Sequence, residues 1–513
     1  MSESSRTAKS IKNAKVALIF YFINLVLQFF SRKVFLDYLG AEVLGLNTTA
    51  QNLIGFLNLA ELGIGSAIAF TLYKPLHEKN TQVINEIVSV QGWLYRRVAY
   101  IVIAGACILM FFFPLIFAKA QVPFWYTYGS FIVLLVSTLL GYFVNYRQIV
   151  LTTDQKEYKI TLNIQGFKVI KVLLQILAIS YLSNGYVYWM ILELGMSVIT
   201  AIVLDKLLKK EYPWLKTISS EGGRLRKKYP EIITKTKQVF YHQVATIVLA
   251  QTSPLIIYAY ASLTLVAVYG NYMLIVTGVS LLMDALLRGI NAGVGSLVAE
   301  GESKRIKDVF WELTSLRMWL ASIACFGIYK FSHSFITLWV DGEFVLEHHA
   351  FVVLLLIAFI NMTRTNDTFL AAYGLFQDVW APLTEAGLNL ALSILLGYFY
   401  GLIGILFGVL ISMLLIVCGW KPFFLYKCGF HEGVGEYVVG YLKYVILIII
   451  SFVCISALTD HLFVLPIYSY ATWGWLVFRV LSFYTLSSFL LFAIVDKSFR
   501  RWIIRIMMLF GYN

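Results

Sequence analysis

The sequence predicts an all-α polytopic membrane protein of about 14 transmembrane helices, with two six-helix lobes around a central cavity and two further C-terminal helices. Three observations carry that prediction. Of 513 residues, 59% are hydrophobic and only 13% charged, against roughly a quarter charged in a soluble domain. Apolar runs recur along nearly the whole chain, each near the roughly 20 residues that cross a bilayer as a helix. One long polar, basic stretch divides them. A soluble globule is excluded. The net charge of +13 sits between the apolar runs, where it sets orientation, so nucleic acid is not the expected partner.

The N-terminus, Met1 to Lys15, carries Arg6, Lys9, Lys12 and Lys15. An apolar run follows that is too long for a signal-peptide core and lacks a small-residue cleavage site, which reads as an uncleaved first span. Apolar windows then fall near 16–36, 43–72, 88–117, 128–150, 160–182, 186–207, 238–261, 265–297, 309–331, 349–372, 380–400, 402–425, 441–463 and 473–495. They are continuous, whereas a membrane barrel shows alternating ten-residue segments. An even number of spans puts both termini on one side. With that side cytoplasmic, most of the 41 Lys and Arg lie inside or at its edge and only Arg32, Lys33, Lys119 and Lys330 lie outside, as the positive-inside rule requires.

The polar divider, Asp205 to Lys237, holds ten basic residues, among them Arg224, Arg226, Lys227 and Lys228. It reads as orienting charge with contact to anionic lipid, or as a docking surface for protein. Across it the chain repeats weakly at an offset of about 222 to 226. Ile84-Asn85-Glu86-Ile87-Val88 precedes Arg96 as Ile306-Lys307-Asp308-Val309-Phe310 precedes Arg317, and Glu61 with Gly63 and Gly65 parallels Asp284 with Gly289 and Gly293. The expected organisation is an N-terminal lobe with its linker at 1–237, a second lobe at 238–430, and two more helices with a basic tail at 431–513. Repeated lobes are common in secondary transporters.

Motifs for chemistry are missing. There is no G-x-x-x-x-G-K-[ST] loop, no H-E-x-x-H and no G-x-S-x-G; the five cysteines are scattered; and the adjacent His348 and His349 point in different directions on a helix. No metal site and no cofactor are expected. External connections are short, the longest running from about Thr337 to Glu347, which leaves little to hold a polar acceptor. The chain is expected to move a substrate and not to be an enzyme; a membrane glycan polymerase is the alternative that these short loops disfavour.

Nine basic residues fall within or deep at the ends of spans: Arg96, Arg97, Arg147, Lys168, Lys171, Arg288, Arg317, Arg364 and Arg479. A charge at the bilayer centre costs about 2.5–3.5 kcal/mol on insertion scales, so it faces a wet cavity or a partner. Asp284 with Arg288 and Arg364 with Asp367 have the spacing of same-helix pairs. Arg147, Lys168 and Lys171 lie close enough to the cytoplasmic side to snorkel. Arg96 and Arg317 have no such neighbour and occupy matching places in the two lobes. With Arg288 and Arg364 they form a candidate cationic cavity for a pyrophosphate or acidic sugar; the alternative is burial beside carboxylates on other helices. Glu61 admits three roles: an interhelical bond, cation or proton coupling shared with Asp284, and contact with substrate sugars. Gly63 and Gly65 would let that helix pack closely or flex. The embedded Glu193 has no evident partner.

The block Leu39-Gly40-Ala41-Glu42-Val43-Leu44-Gly45-Leu46-Asn47, then Leu59-Ala60-Glu61-Leu62-Gly63-Ile64-Gly65-Ser66-Ala67-Ile68 and Tyr73-Lys74-Pro75-Leu76, resembles the Wzx-type polysaccharide flippases. Thr153-Asp154-Gln155-Lys156, Tyr269-Gly270-Asn271-Tyr272 and Ile336-Thr337-Leu338-Trp339 extend the resemblance over most of residues 12–440. That family belongs to the multidrug, oligosaccharidyl-lipid and polysaccharide exporters. The resemblance implies a flippase of the bacterial inner membrane, moving an undecaprenyl-diphosphate-linked oligosaccharide for O-antigen, capsule or exopolysaccharide from the cytoplasmic to the outer leaflet. Proton or sodium coupling, a polysaccharide polymerase as partner and a monomeric state accompany that expectation. A multidrug cation antiporter of the same superfamily and a murein-precursor flippase are the alternatives.

Overall fold

The computed structural model describes residues 3–61, 63–375, 378, 380–463 and 469–509, without the side chains of 3–11 and 60 and of some positions within 238–250, 285–299 and 506–509. It has helices and no strand among them. The chain forms two compact units, Met1–Ala267 and Val268–Asn513. Among the described residues eleven stretches are long and apolar enough to cross a membrane, which makes this a multi-pass membrane protein.

The first unit holds α1 (Glu3–Leu57), α2 (Ile64–His77), α3 (Thr81–Ile116), α4 (Phe124–Phe143), the short α5 (Ile149–Thr153), α6 (Glu157–Tyr181), α7 (Gly185–Glu211), the short α8 (Gly222–Leu225) and α9 (Pro230–Tyr260). At about 1.5 Å per residue α1 would be far longer than a bilayer is thick. It is two helices that meet at Gly40, whose φ of 82° only glycine adopts freely. That break falls between the first two apolar windows. The second window is not continuous, however: after Leu57 come a 3₁₀ turn, Asn58–Glu61, and Gly63 at φ 85° before α2 begins. Asn24 on the first half of α1 donates to Gln165 on α6 at 3.1 Å, and Phe35 packs edge-on against Tyr186 and Trp189 of α7. The helix α9, assigned from the sequence to the second lobe, packs on α1 and α2.

The basic divider is a docked cap and not a free loop. The Asn85 amide donates to the carbonyl of Trp214 and accepts from the Lys216 N–H, Ser89 accepts from the Ile218 N–H, and Lys228 and Tyr229 donate to Glu86. Arg97 and Arg226 both lie over the Trp93 ring, at 4.0 and 4.9 Å.

The second unit contains most of α10 (Leu263–Glu300), then α11 (Ser303–Trp339), α12 (His348–Met362), α13 (Thr365–Ala372), α14 (Trp380–Met413), the short α15 (Lys421–Leu425) set between two π-helical turns, α16 (Gly435–Leu462), α17 (Tyr470–Val495) and α18 (Lys497–Leu509). The window at 349–372 is likewise interrupted, at Thr363 and Arg364. In α14 the chain breaks at Gly401, φ 58°, again between two expected windows, and folds back as a tight hairpin. A Cβ on Gly404 would lie 2.0 Å from the Leu396 carbonyl oxygen, and Ser393 donates to the Ile405 carbonyl at 2.9 Å. The helix α11 is the most buried candidate span; its Phe326 stacks on Tyr484 of α17 at 3.9 Å.

Asp496, 1% exposed, ties four helices together. Its carboxylate accepts from Lys443 on α16, from Ser315 on α11 at 2.8 Å, from Tyr444 at 3.1 Å and from the Phe499 N–H of α18 at 2.7 Å. Burial pushes the carboxyl up, but the bonds from Lys443 and Ser315 and the Lys443 charge outweigh it, so its pKa lies below the ordinary Asp value. A folded-state pKa below the unfolded one adds stability above the unfolded value of about 3.9, and that stability is lost as pH falls through the folded value. Asp496→Asn is expected to cost about 2 kcal/mol at pH 7, read as a lower thermal midpoint in detergent. The gap to the parent protein should hold down to about pH 5 and shrink below about pH 4.

Candidate functional site

In the first unit the break at the end of α1 places Glu61 inside a polar chamber of about 370 Å³. The 3₁₀ turn and the left-handed Gly63 turn the chain there, so the carboxylate is held by backbone geometry. Gly65 approaches the same place, its added Cβ lying 3.6 Å from the Tyr95 hydroxyl. Tyr95 on α3 donates to Glu61 Oε1 at 2.8 Å, and Tyr142 on α4 donates to Asn58 Oδ1 at 2.8 Å. The two phenol rings pack edge to face, 5.6 Å apart. Gln91, Tyr146, Gln148 and Glu157 complete the polar part of the lining. The partners of Glu61 are thus neutral. A phenol hydroxyl can donate to such a carboxyl or accept from it.

In the second unit Arg317 is buried on α11 and donates to the Thr368 hydroxyl at 3.2 Å. Asp284 and Asp367 are its electrostatic neighbours. Arg364 lies 3.6 Å from both Asp367 and Glu385, and Lys421 donates to Asp367 at 2.8 Å. Arg317 and Arg364 therefore meet around one carboxylate, Asp367. The side chains of Arg288, Gly289 and Gly293 lie outside the described residues, and the expected Asp284–Arg288 pair with them. Glu385 and Asn389, spaced i,i+4 on α14 and 2% and 1% exposed, were not singled out in the sequence. Two polar residues one turn apart in an apolar span were the available signal.

The two units also place their arginines in different registers. Both α3 and α11 follow a positive-φ residue, Lys79 and Gly301, and begin at Thr81 and Ser303. That fixes the offset at 222, the difference between 303 and 81. Position 317 then corresponds to Tyr95 (317 minus 222) and not to Arg96. One residue is about 100° around a helix, so the matching places expected for Arg96 and Arg317 are adjacent positions on different faces. Arg317 points inward like Tyr95, whereas Arg96 is exposed and makes no ion pair among the described residues. At the same offset Asp284 corresponds to position 62, one residue past Glu61. Each unit sets a carboxylate near a polar group of a neighbouring helix, the Tyr95 phenol of α3 in one and the Arg317 guanidinium of α11 in the other.

Two of the remaining embedded charges are held in interhelical pairs. Arg147 bonds Asp205. Lys171 on α6 meets Glu193 on α7 at 2.6 Å, and Gln175 donates to the same carboxylate at 2.9 Å. The reading of Arg147 and Lys171 as snorkelling side chains is replaced by these contacts, and Glu193 acquires a role. Arg479 lies over the Trp475 ring at 4.8 Å.

No family model and no curated protein matches the sequence. Among solved structures the chain is similar to one described as a lipid II flippase MurJ in an inward closed conformation, at 16% identity and TM-score 0.62, covering 93% of this chain and 98% of that one. It is also similar to an inward-facing multidrug resistance MATE family transporter of the MOP superfamily, at 12% identity and TM-score 0.60, covering 80% of this chain and 97% of that one. These likenesses show a shared fold.

The buried Lys171–Glu193 pair generates a double-mutant test. Lys171→Met strands a carboxylate in the membrane and is expected to destabilise by about 3–5 kcal/mol, whereas Lys171→Met with Glu193→Leu should recover most of that loss. Thermal midpoints of the purified single and double variants check it; additive losses would contradict the pairing.

Proposed function

We propose that the chain is a flippase for an undecaprenyl-diphosphate-linked oligosaccharide, moving it from the cytoplasmic to the outer leaflet by alternating access. The observation that carries this reading is Arg96: a guanidinium within the candidate span Thr81–Ile116, exposed and without a counter-charge among the described residues. A permanent charge so placed suits a phosphate-bearing cargo, since its planar fork binds phosphate oxygens in pairs. It is a poor feature for a cation exporter. The resemblance of the Leu39–Leu76 block to Wzx-type flippases and the fold shared with a lipid flippase support the same class of cargo. Arg288, Arg317 and Arg364 remain the other candidates for the headgroup's path.

Glu61 is the proposed coupling residue in preference to Asp284. Protonating Glu61 leaves its phenol partners satisfied, whereas protonating Asp284 would remove a counter-charge from the buried Arg317. A proton or sodium gradient would thereby act through the first unit, with Gly63 and Gly65 beside the break that moves. A polysaccharide polymerase is the proposed partner, in the bacterial inner membrane with both termini cytoplasmic, and the chain is proposed to act as a monomer.

The second reading, a murein-precursor flippase, is favoured by the fold shared with the structure described as a lipid II flippase. Cells lacking the surface-glycan flippase and cells depleted of the murein-precursor flippase separate the two: rescue of the first and not the second is expected. In that background Arg96→Gln, made at normal level, is expected to lower outer-leaflet delivery of the lipid-linked glycan roughly tenfold or more. Glu61→Gln should abolish its dependence on the ion gradient. Undiminished delivery by Arg96→Gln would remove the basis of the anionic-cargo assignment.

A further inference from the structure

Beside the Glu61 chamber the first unit holds a second cavity of about 260 Å³, between α4, the turn Asn145–Gln148, α6 and α7. Its charged wall is Lys168 and Lys171. Lys171 is neutralised by Glu193 at 2.6 Å, and the adjacent Arg147 by Asp205. Glu193 is the one carboxylate whose field reaches Lys168, and it is already bonded by Lys171 and Gln175. Lys168 is the surplus. It is half-buried, has no ion pair or hydrogen bond among the described residues, and is the twelfth of the 25 residues of α6. It thus lies about 17 Å along the helix, near its middle, where a bare ammonium is costly and snorkelling does not relieve it.

The same cavity is lined by acceptors without partners. Asn145 is 9% exposed, lines the cavity, and its Oδ1 has no hydrogen bond; the same holds for Gln148 Oε1 and Ser137 Oγ. A surplus cation and three unsatisfied polar atoms around one opening call for a ligand that is an anion on one side and carries hydroxyl donors on the other. The volume lies below the roughly 300–1,000 Å³ of drug-sized sites, enough for a phosphate and a few carbons and too little for an oligosaccharide. Outside it, Leu162 and Ile170 of α6 and Ile199 and Ile202 of α7 are exposed apolar residues, a surface on which acyl chains can lie.

We propose that this cavity binds a phosphodiester bearing a hydroxylated headgroup, as an anionic phospholipid does, with Lys168 on the phosphate and Asn145, Gln148 and Ser137 on the headgroup hydroxyls. The proposal does not depend on the identity of the transported cargo. The test is native mass spectrometry of the full chain in detergent with added phosphatidylglycerol, or with phosphatidylcholine as the lipid that lacks both net charge and hydroxyls. The parent protein is expected to retain one phosphatidylglycerol in preference to phosphatidylcholine. Lys168→Gln should weaken that binding roughly tenfold or more, Asn145→Asp should do the same by setting a carboxylate against the phosphate, and Lys168→Arg should keep it. Unchanged thermal midpoints without lipid distinguish loss of the site from loss of the fold. Displacement of the lipid by millimolar inorganic phosphate would support the phosphate contact with a free ion able to fill it; resistance to phosphate would support the lipid as the occupant. Equal retention of both lipids, or undiminished phosphatidylglycerol binding by Lys168→Gln, overturns the proposal.

Discussion

Hydrocarbon offers an ionised side chain no partner, so each charge carried into a span must be matched from another part of the protein or from something bound to it. The structure obeys this constraint in detail. Lys171 is answered by Glu193, Arg147 by Asp205, Arg364 by Asp367 and Glu385, and Lys443 by Asp496. Each of these links joins different helices or crosses a helix break, and so fixes packing as well as charge. Buried ion pairs are weak sources of net stability, but removing one partner is expensive; they therefore specify which helices meet. The groups left over, Arg96, Lys168 and the neutrally partnered Glu61, are the ones with charge chemistry still to offer.

The two units solve the same problem of anchoring in parallel ways. Asn80 caps α3 by accepting from the Val83 N–H, and Glu86 then receives Lys228 and Tyr229 from the linker that follows the first unit's spans. In the second unit Lys307 bonds Glu432 and Glu436, while Asp308 and Glu312 receive Arg501 and Arg505 from α18. The starts of α3 and α11 thus each hold a basic segment from much later in the sequence of the same unit. The basic divider and the basic tail, read from the sequence as orienting charge, also serve as clasps, and charges held this way are less available to lipid than their number suggests.

Most of the helical architecture was legible because hydrophobic run length is set by bilayer thickness alone. The breaks at Gly40 and Gly401 fall between apolar windows that composition separated. What periodicity could not reveal was the interruption at Asn58–Gly63, where apolar composition continues through a left-handed turn. Nor could it reveal partners from distant segments. Same-helix spacing exposed the Arg364–Asp367 pair, yet Glu385, Lys421 and Thr368 reach the same cluster from elsewhere in the sequence. Glu193 looked solitary because its partner stands 22 positions back on a different helix. The one-residue difference between Arg96 and Arg317, twelve positions after its block in one half and eleven in the other, is already in the sequence; on a helix, with its 100° per residue, it means different faces.

That single-residue difference has a mechanistic consequence for the proposed function. At the same depth of the third helix one unit presents a phenol to its carboxylate and the other a guanidinium. A guanidinium stays charged at any accessible pH, so it keeps Asp284 in use as a counter-charge. The phenols around Glu61 carry no charge and let the carboxyl gain or lose a proton, or hold a small cation, within an otherwise satisfied chamber. The second unit keeps a fixed guanidinium beside its carboxylates, and the first keeps a neutrally partnered acid beside a helix break. In the proposed mechanism Arg96, on another helix of the first unit, takes the cargo's charge and leaves that acid to the gradient, so the two do not compete for the same group.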